Sequence, residues 1–84
     1  MTYRLVVTKG ASKDMKKLPK HIRSCVDAAI LRLCEDPFIG KKLEADYVGC
    51  WTLRVWPYRI IYSIRQETVT VIILQVGHRQ GVYG

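Results

Sequence analysis

The sequence predicts an α+β fold with the order β-α-α-β-β-β, in which two N-terminal helices pack on one face of a mainly antiparallel four-stranded sheet. Helical periodicity is confined to the first part of the chain, and alternation typical of strands follows it. One late segment is apolar on both sides, which is typical of an interior strand covered above and below. The 84 residues are expected to form a single domain, residues 1–84, with one core.

The N-terminal part predicts one strand and two helices. Tyr3–Thr8 alternates in the manner of a short strand, and Thr8 or Ser12 can cap the helix that follows. Pro19 ends or bends this first helix, because proline has no amide hydrogen to donate. A longer helix over Lys20–Cys34 follows from apolar residues that recur every three or four positions. Those residues are Ile22, Val26, Ala29, Ile30 and Leu33.

The segment Trp51–Tyr62 predicts a β-hairpin that turns at Trp56 and Pro57. Side chains two positions apart on a strand share a face, so Arg54 and Arg59 can project from one face of this hairpin. The opposite face is then expected to be buried. Its residues are Trp51, Leu53, Val55, Ile60 and Tyr62.

Polar segments separate the predicted elements. Gly40 interrupts the helical pattern, and Lys41–Gly49 is interpreted as a polar connection that leads to the hairpin. After the hairpin, Gln66–Glu67 predicts a second tight turn. Thr68–Val76 is then the last strand, and Gly77–Gly84 is interpreted as a polar tail.

The charge balance favours anionic partners. Fourteen Lys and Arg residues against seven Asp and Glu residues give a formal net charge of +7. Such a field attracts polyanions, which favours nucleic acid, the ribosome or an acidic protein as a partner. No apolar run approaches the ~18 residues that a membrane span needs, and the N-terminus lacks the apolar segment of a signal peptide. We therefore expect a cytoplasmic protein with no membrane association.

The cysteines predict a reducing environment and no disulfide framework. Cys25, Cys34 and Cys50 are odd in number and lack CxxC spacing. His21 and Cys25 lie four residues apart on the predicted second helix, but no second pair of ligands follows, so no metal site is expected. Cys25 is interpreted as a small buried apolar residue.

Five residues are candidates for chemistry because they lie at or just beyond strands that are expected to be neighbours. They are Arg54, Arg59, His78, Arg79 and Tyr83. Arginine binds phosphate bidentately, and histidine and tyrosine can transfer protons. Together they can stabilise the phosphorane that forms when a ribose 2′-hydroxyl attacks its own phosphodiester, a reaction that needs no metal. Simpler roles stay open: surface arginines, an exposed loop histidine and a docked C-terminal tyrosine.

The two tryptophans each have two interpretations. Either ring can stack on a nucleobase, or it can belong to the core. Trp51 shares a face with Leu53 and Val55, which favours the core. Trp56 is two residues from Arg54 and is therefore expected on the same face of the strand, so the two interpretations are about equal for it.

A pattern of short segments covers nearly the whole chain. It consists of Lys13–Pro19, Asp36–Pro37, Lys42–Leu43, Trp51–Tyr62 and Val76–Tyr83. In this pattern the chain resembles the RelE/ParE superfamily of toxins from bacterial and archaeal toxin–antitoxin pairs. Its most specific parts are the Arg-Val-x-x-Tyr-Arg-Ile-Ile-Tyr segment and the His-Arg-x-x-Val-Tyr ending, and the ending favours the RelE branch.

The resemblance implies a fold, an activity and partners. The fold is the β-α-α-β-β-β arrangement, and the activity is that of an mRNA interferase, an endoribonuclease that needs no cofactor. Such a toxin enters the A site of the 70S ribosome and cuts mRNA by attack of a 2′-hydroxyl on the following phosphate. The products are a 2′,3′-cyclic phosphate and a 5′-hydroxyl. The resemblance also implies a cognate antitoxin, expected to wrap the basic toxin with an acidic segment.

The resemblance also implies roles for single residues. Arg59 is then the clamp on the scissile phosphate, and Arg79 assists it and can help to protonate the leaving 5′-oxygen. Tyr83 orients the substrate, stacks on a base or takes part in proton transfer, and Arg54 lines the cleft. The implied substrate-binding residues are Lys41, Lys42, Thr52 and Trp56.

Two positions depart from the family pattern. Some relatives have a lysine where this chain has Thr52, which removes one candidate for activating the 2′-hydroxyl; His78 can take the proton instead. Trp56-Pro57 replaces the Gly-Asp type of turn found in many relatives, so a stiffer turn of different shape is expected.

Two other functions stay open on the same scaffold. One is a ParE-like toxin that binds and poisons DNA gyrase, for which Arg79 and Tyr83 would be dispensable. The other is a non-catalytic basic module that binds RNA or an acidic partner.

Overall fold

A computed structural model of the chain describes residues 2–43 and 49–78. The elements of this part of the chain are β1 (Arg4–Val7), α1 (Lys9–Lys16), α2 (Lys20–Glu35), a 3-10 turn (Pro37–Ile39), β2 (Lys41–Lys42), β3 (Trp51–Val55), β4 (Tyr58–Arg65) and β5 (Thr70–His78). Over these residues the strands form one five-stranded sheet of order β1-β5-β4-β3-β2. Only β1 and β5 pair in parallel; the other neighbours are antiparallel.

The predicted α+β fold is confirmed, with one strand more than the sequence predicts. The additional strand, β2, pairs Lys41 with Thr52 and Lys42 with Trp51. It occupies the start of Lys41–Gly49, which the sequence predicts to be a polar connection without a strand. Two residues carry no alternation to detect, because a strand of this length is defined by its partner and not by its own pattern.

The last strand extends further than predicted. Gly77 and His78 belong to β5, where they pair with Arg59 and Tyr58 of the hairpin, so the tail does not begin at Gly77. β5 ends where β4 no longer offers a partner, because each backbone hydrogen bond between the two strands needs a residue on both.

The helices begin and end close to the predicted positions. Thr8 is the cap of α1, and its side-chain oxygen accepts a hydrogen bond from the Ala11 amide at 3.1 Å. Pro19 lies between α1 and α2, as predicted. Among the described residues, neither helix combines the length and apolarity that a bilayer span requires.

The core lies between the helices and one face of the sheet. It contains Ala11, Val26, Ala29, Ile30, Leu33, Ile60, Tyr62, Val71, Ile73 and Val76. Trp51, Leu53 and Val55 pack against it from β3. The predicted inward face of the hairpin is therefore confirmed, and burial of this face leaves the opposite face of the hairpin away from the helices.

The interpretation of Cys25 as a buried residue is wrong. Cys25 is exposed on α2, whereas Cys34 near the end of the same helix is buried. Cys25 lies at the margin of the inward stripe, immediately before the fully buried Val26. Burial raises the pKa of the Cys34 thiol, and the neighbouring Glu35 carboxylate raises it further.

Side chains of the α1 region cover the outer edge of β5. The parallel partner β1 reaches only as far as Ile73. Beyond that point the Thr8 hydroxyl donates to the Leu74 carbonyl oxygen at 3.3 Å, and the Val76 amide donates to Asp14 Oδ2 at 3.1 Å. These bonds hold the half of β5 that lies beside Arg59.

Candidate functional site

The hairpin places two arginines side by side. Arg54 on β3 lies directly opposite Arg59 on β4. The turn between them is formed by Trp56 and Pro57, whose peptide bond is cis. Paired residues on neighbouring strands share a face, so both arginines lie on the face opposite to the helices. We call this side of the sheet, which carries Arg54 and Arg59, the arginine face.

A cleft of about 290 Å³ opens on the arginine face beside β2. Three cationic residues line it, and none of its described lining residues is acidic. The lining residues are Ile39, Gly40, Lys41, Thr52, Leu53, Arg54 and Arg59. Three positive charges without a carboxylate attract phosphate, and two of them are guanidinium groups that can bind it bidentately.

The wall of the cleft next to the core depends on Gly40. A methyl group at this position would overlap the Thr52 carbonyl oxygen and the Tyr62 hydroxyl. Tyr62 is fully buried and donates to the Pro37 carbonyl oxygen at 2.7 Å. Burial raises the pKa of Tyr62 to about 12, a hydrogen bond with the Gly40 backbone opposes the rise, and Asp36 adds to it. The neutral phenol therefore joins the 3-10 turn to the sheet.

The ring of Trp51 anchors β2. Lys42 is its partner in the register, and the Lys42 Nζ lies 5.7 Å from the ring centroid. Phe38 meets the same ring edge-on with centroids 5.5 Å apart, and Tyr62 stacks on it at 6.4 Å. Trp51 thus belongs to the core, as the sequence favours. Lys42 lies over this ring, whereas Lys41 lines the cleft.

Trp56 is at the tip of the hairpin and is 60% exposed. The guanidinium carbon of Arg54 lies 5.9 Å from its ring centroid, within reach of a cation–π contact. An exposed indole is thereby held beside one of the cleft's cations. The exposure of this ring favours the nucleobase-stacking interpretation over a place in the core.

Thr52 is the neutral polar side chain in the cleft. It is 9% exposed, and among the described residues its Oγ1 has no hydrogen-bond partner. The register sets it between Lys41 and Ile61 on neighbouring strands. Thr52 therefore lines the cleft beside the three cations, but its hydroxyl oxygen is buried from solvent.

Of the nine sequence-predicted site residues, Lys42 lies over the Trp51 ring and Trp56 at the hairpin tip, and the other seven divide into three groups. Lys41, Thr52, Arg54 and Arg59 line one cleft. His78 lies opposite Tyr58 with ring centroids 5.7 Å apart, and by strand alternation it is on the other face of the sheet from Arg59, whose partner is Gly77. Arg79 and Tyr83 lie outside the described residues.

Three lining residues, Ile39, Gly40 and Leu53, are absent from the sequence-predicted set of site residues. The sequence indicates Gly40 only as a break in a helical pattern. The one signal in the sequence is its place directly before two lysines, and pairing of β2 with β3 is needed to show that this places it against Thr52. In the described part of the chain, no group of three or more His, Cys, Asp or Glu residues is arranged to hold a metal ion.

Comparison with known proteins identifies the family. A family model described as the ParE toxin of the type II toxin–antitoxin system, parDE, matches residues 5–83. The chain belongs to the RelE/ParE superfamily of toxins.

This toxin is similar to RelE-like proteins along its whole length. It is 36% identical to Toxin RelG of Mycobacterium tuberculosis, over 99% of this chain and 98% of that protein. It is 28% identical to the mRNA interferase toxin RelE of Escherichia coli, over 95% of this chain and 86% of that protein. Its fold matches the crystal structure of the toxin–antitoxin complex RelBE2 from Mycobacterium tuberculosis with a TM-score of 0.88 and 34% identity, covering 94% and 93% of the two chains. The toxin is therefore RelE-like.

Proposed function

We propose that this toxin is a metal-independent endoribonuclease that cuts mRNA in the A site of the 70S ribosome and so stops translation in the cytoplasm. The observation that carries the proposal is the pairing of Arg54 with Arg59 in a cleft that Lys41 also lines, without an acidic residue among the described lining residues. The name of the Escherichia coli relative, an mRNA interferase, supports the same activity.

In the proposed reaction the ribose 2′-hydroxyl of one nucleotide attacks the adjacent phosphorus atom. The bond from phosphorus to the 5′-oxygen of the next nucleotide breaks, which leaves a 2′,3′-cyclic phosphate and a 5′-hydroxyl. Negative charge accumulates on the phosphate oxygens in the pentacovalent transition state. Arg59, aided by Arg54, stabilises that charge with groups that the sheet already holds in place.

The proton transfers need residues other than the paired arginines. Arginine stays protonated at physiological pH, so Arg54 and Arg59 do not accept the proton of the 2′-hydroxyl. Because the register sets His78 opposite Tyr58, we assign the proton transfer to Tyr83 and not to His78. Arg79 is proposed to assist the clamp and to hydrogen-bond the leaving 5′-oxygen while that oxygen is protonated.

Trp56 is proposed to stack on a nucleobase of the bound mRNA. Its exposed ring beside Arg54 supports this role, since aromatic side chains bind single-stranded RNA by stacking while cations hold its backbone. Lys42 lies over the Trp51 ring, so it can bind substrate only after its ammonium group moves away from that ring.

The proposal is tested by comparing two arginines of β4 in a purified translation system. Arg59→Ala should lose at least ~2–3 kcal/mol of transition-state stabilisation in the cleavage of A-site codons. Arg65→Ala is the matched control, because Arg65 is exposed six residues further along β4 and does not line the cleft. Unchanged cleavage by the Arg59 variant would contradict the proposal.

We also propose a cognate antitoxin as the partner of this toxin. Relatives of known structure are complexes of this kind, among them RelBE2 of Mycobacterium tuberculosis and an archaeal RelE–RelB complex from Pyrococcus horikoshii. The net charge of +7 favours an acidic antitoxin segment on the basic surface. A pulldown from the native host should recover an acidic protein whose co-expression restores growth, and recovery of ribosomes alone would contradict this.

A second candidate function is poisoning of DNA gyrase, which the match to the ParE family model favours. It requires inhibition of gyrase supercoiling, DNA damage in expressing cells, and indifference to Arg79→Ala and Tyr83→Phe. A supercoiling assay run beside the translation assay separates the two functions. Salt-sensitive RNA binding without cleavage, gyrase inhibition or growth arrest would instead indicate a non-catalytic RNA-binding module.

A further inference from the structure

Strand β5 contains a bulge at Leu74. Ile61 of β4 pairs with Gln75, and the next residue of β4, Tyr62, pairs with Ile73, so Leu74 has no partner on β4. A bulge inserts one extra residue into a strand and bends it, and bulges are frequent beside active sites, where they re-aim side chains. The bulge therefore divides β5 into two parts whose side-chain directions are set separately.

The bulge decides which residues of β5 share a face with Arg59. Val71, Ile73 and Val76 all belong to the core beneath the helices, so the last interval is three residues where regular alternation requires two. This shift turns Gly77 to the arginine face, where it lies directly opposite Arg59. Without the extra residue, Gly77 would face the core.

Gly77 gives Arg59 little support of its own. It has no side chain to pack against the arginine, and a glycine inside a strand weakens that strand because its backbone loses more freedom on folding. The parallel partner β1 ends opposite Ile73, so it does not hold this part of β5 either. The position of the backbone beside Arg59 therefore depends on contacts from another element.

Helix α1 and its cap supply these contacts on both sides of the bulge. The Thr8 hydroxyl donates to the carbonyl oxygen of Leu74 at 3.3 Å, and the Val76 amide donates to Asp14 Oδ2 at 3.1 Å. A hydrogen bond to an ionised acceptor is stronger than a neutral one, so the carboxylate of Asp14 contributes more than the hydroxyl. Val76 directly precedes Gly77, so the carboxylate fixes the backbone next to the glycine.

We propose that Asp14 is a positioning residue: through the Val76 amide it holds the bulged end of β5 in register with Arg59, and so fixes that guanidinium group for the phosphate. The inference rests on the proposed function in that it takes Arg59 as the clamp. Asp14 belongs to α1 and is not among the residues that line the cleft, so it acts through β5 and not through contact with RNA.

The first test separates kcat from KM in the purified translation system. Asp14→Ala should lower kcat for the cleavage of A-site codons about 10–100-fold, because a displacement of about 1 Å at a catalytic group has an effect of this order. KM should stay close to that of the wild type, since the residue does not touch the RNA. Asp14→Asn keeps an acceptor oxygen and should restore most of kcat.

The matched control is Ile30→Val, which leaves a small cavity in the core and removes no hydrogen bond. This variant is destabilised too, but its kcat should equal that of the wild type at a temperature where all variants are folded. An equal loss of kcat in the Ile30 variant would show that stability and not position determines the rate. Equal losses in Asp14→Ala and Asp14→Asn would also overturn the inference.

The second test needs no ribosomes. The Nε of Arg59 is buried, which slows the exchange of its proton, so its N–H signal can be followed by NMR in the isotope-labelled full chain. Asp14→Ala should shift this signal and weaken the binding of inorganic phosphate at low salt, whereas Asp14→Asn should resemble the wild type. An unchanged signal and phosphate affinity in Asp14→Ala would overturn the inference. If these changes occur but the wild-type protein does not cleave mRNA, the nuclease is excluded and the positioning of Arg59 by Asp14 stands.

Discussion

Arg54 and Arg59 lie directly opposite each other across the β3–β4 ladder, so two like charges occupy adjacent positions on one face of the sheet. Like charges directly opposite each other destabilise a sheet. Lys41 lines the same cleft, so three cationic side chains lie close together there. This concentration of positive charge attracts anions and is the physical basis for the predictions on the cleft.

The affinity for single-stranded RNA should depend on salt through the cations of the cleft. Each phosphate contact contributes about 0.7 to the negative slope of log K against log salt concentration. For the binding of a short RNA oligonucleotide, Arg54→Ala should therefore make this slope less negative by about 0.7. It should also weaken the binding. Fluorescence anisotropy between low and moderate salt measures both quantities.

The control for this experiment is Arg65→Ala, which removes an equal charge from the far end of the same strand as Arg59. Its slope should equal that of the wild type. If both variants change the slope equally, net charge and not the cleft determines RNA binding.

Gly40 should be intolerant of any side chain. Gly40→Ala places a methyl group against the Thr52 carbonyl oxygen and the Tyr62 hydroxyl, so β2 or the phenol must move. We expect a loss of about 1–3 kcal/mol in the free energy of unfolding, as measured by urea denaturation. Gly10→Ala is the matched control: nothing lies within 4 Å of its added methyl group. Because Gly10 is in α1, its replacement should stabilise the protein by ~0.5–1 kcal/mol.

The Tyr62 phenol should make stability fall at alkaline pH. Its pKa is raised to about 12 in the folded protein by burial, whereas an unfolded tyrosine ionises near pH 10. The stabilising contribution is therefore fully present below about pH 10 and is lost as the pH rises toward 12, because only the unfolded state releases the proton in that interval. Thermal unfolding between pH 9 and 12 measures this dependence.

Tyr62→Phe separates the ionisation from the hydrogen bond of the phenol. At pH 7 the variant should lose ~0.5–1.5 kcal/mol of stability with the bond to Pro37. Between pH 10 and 12 its stability should fall less than that of the wild type. An equally steep alkaline loss would assign the effect to other groups.

Asp14 should hold the C-terminal half of β5 in place. Its carboxylate accepts a hydrogen bond from the Val76 amide, beyond the end of the parallel partner strand. Asp14→Ala should speed hydrogen exchange of that amide and lower the free energy of unfolding by about 1–3 kcal/mol. Asp27→Ala, on the exposed side of α2, should change neither quantity. Unchanged exchange at Val76 in the Asp14 variant would show that the bond does not stabilise this edge.

Much of the fold was predictable because local patterns are strong in this chain. The apolar spacing of α2 and the alternation along the strands that carry Arg54 and Arg59 are local patterns, each contained in a single helix or strand. Both predictions were confirmed. The predictions that failed depend on distant partners. Cys25 is of a residue type that is usually buried, but it lies at the margin of the apolar stripe of α2 and is exposed. The strand β2 exists only because Lys41 and Lys42 pair with Thr52 and Trp51.

By itself the sequence determined the layers of the molecule, the basic character of its surface and the parity that puts both hairpin arginines on one face. Only the tertiary structure decided which residues share the cleft. It brought Gly40 and Lys41 against Thr52, set His78 opposite Tyr58, and left the Thr52 hydroxyl buried without a partner among the described residues. The physical reason is that periodicity specifies which way a side chain points within its own element, whereas register between strands depends on contacts between residues far apart in the chain.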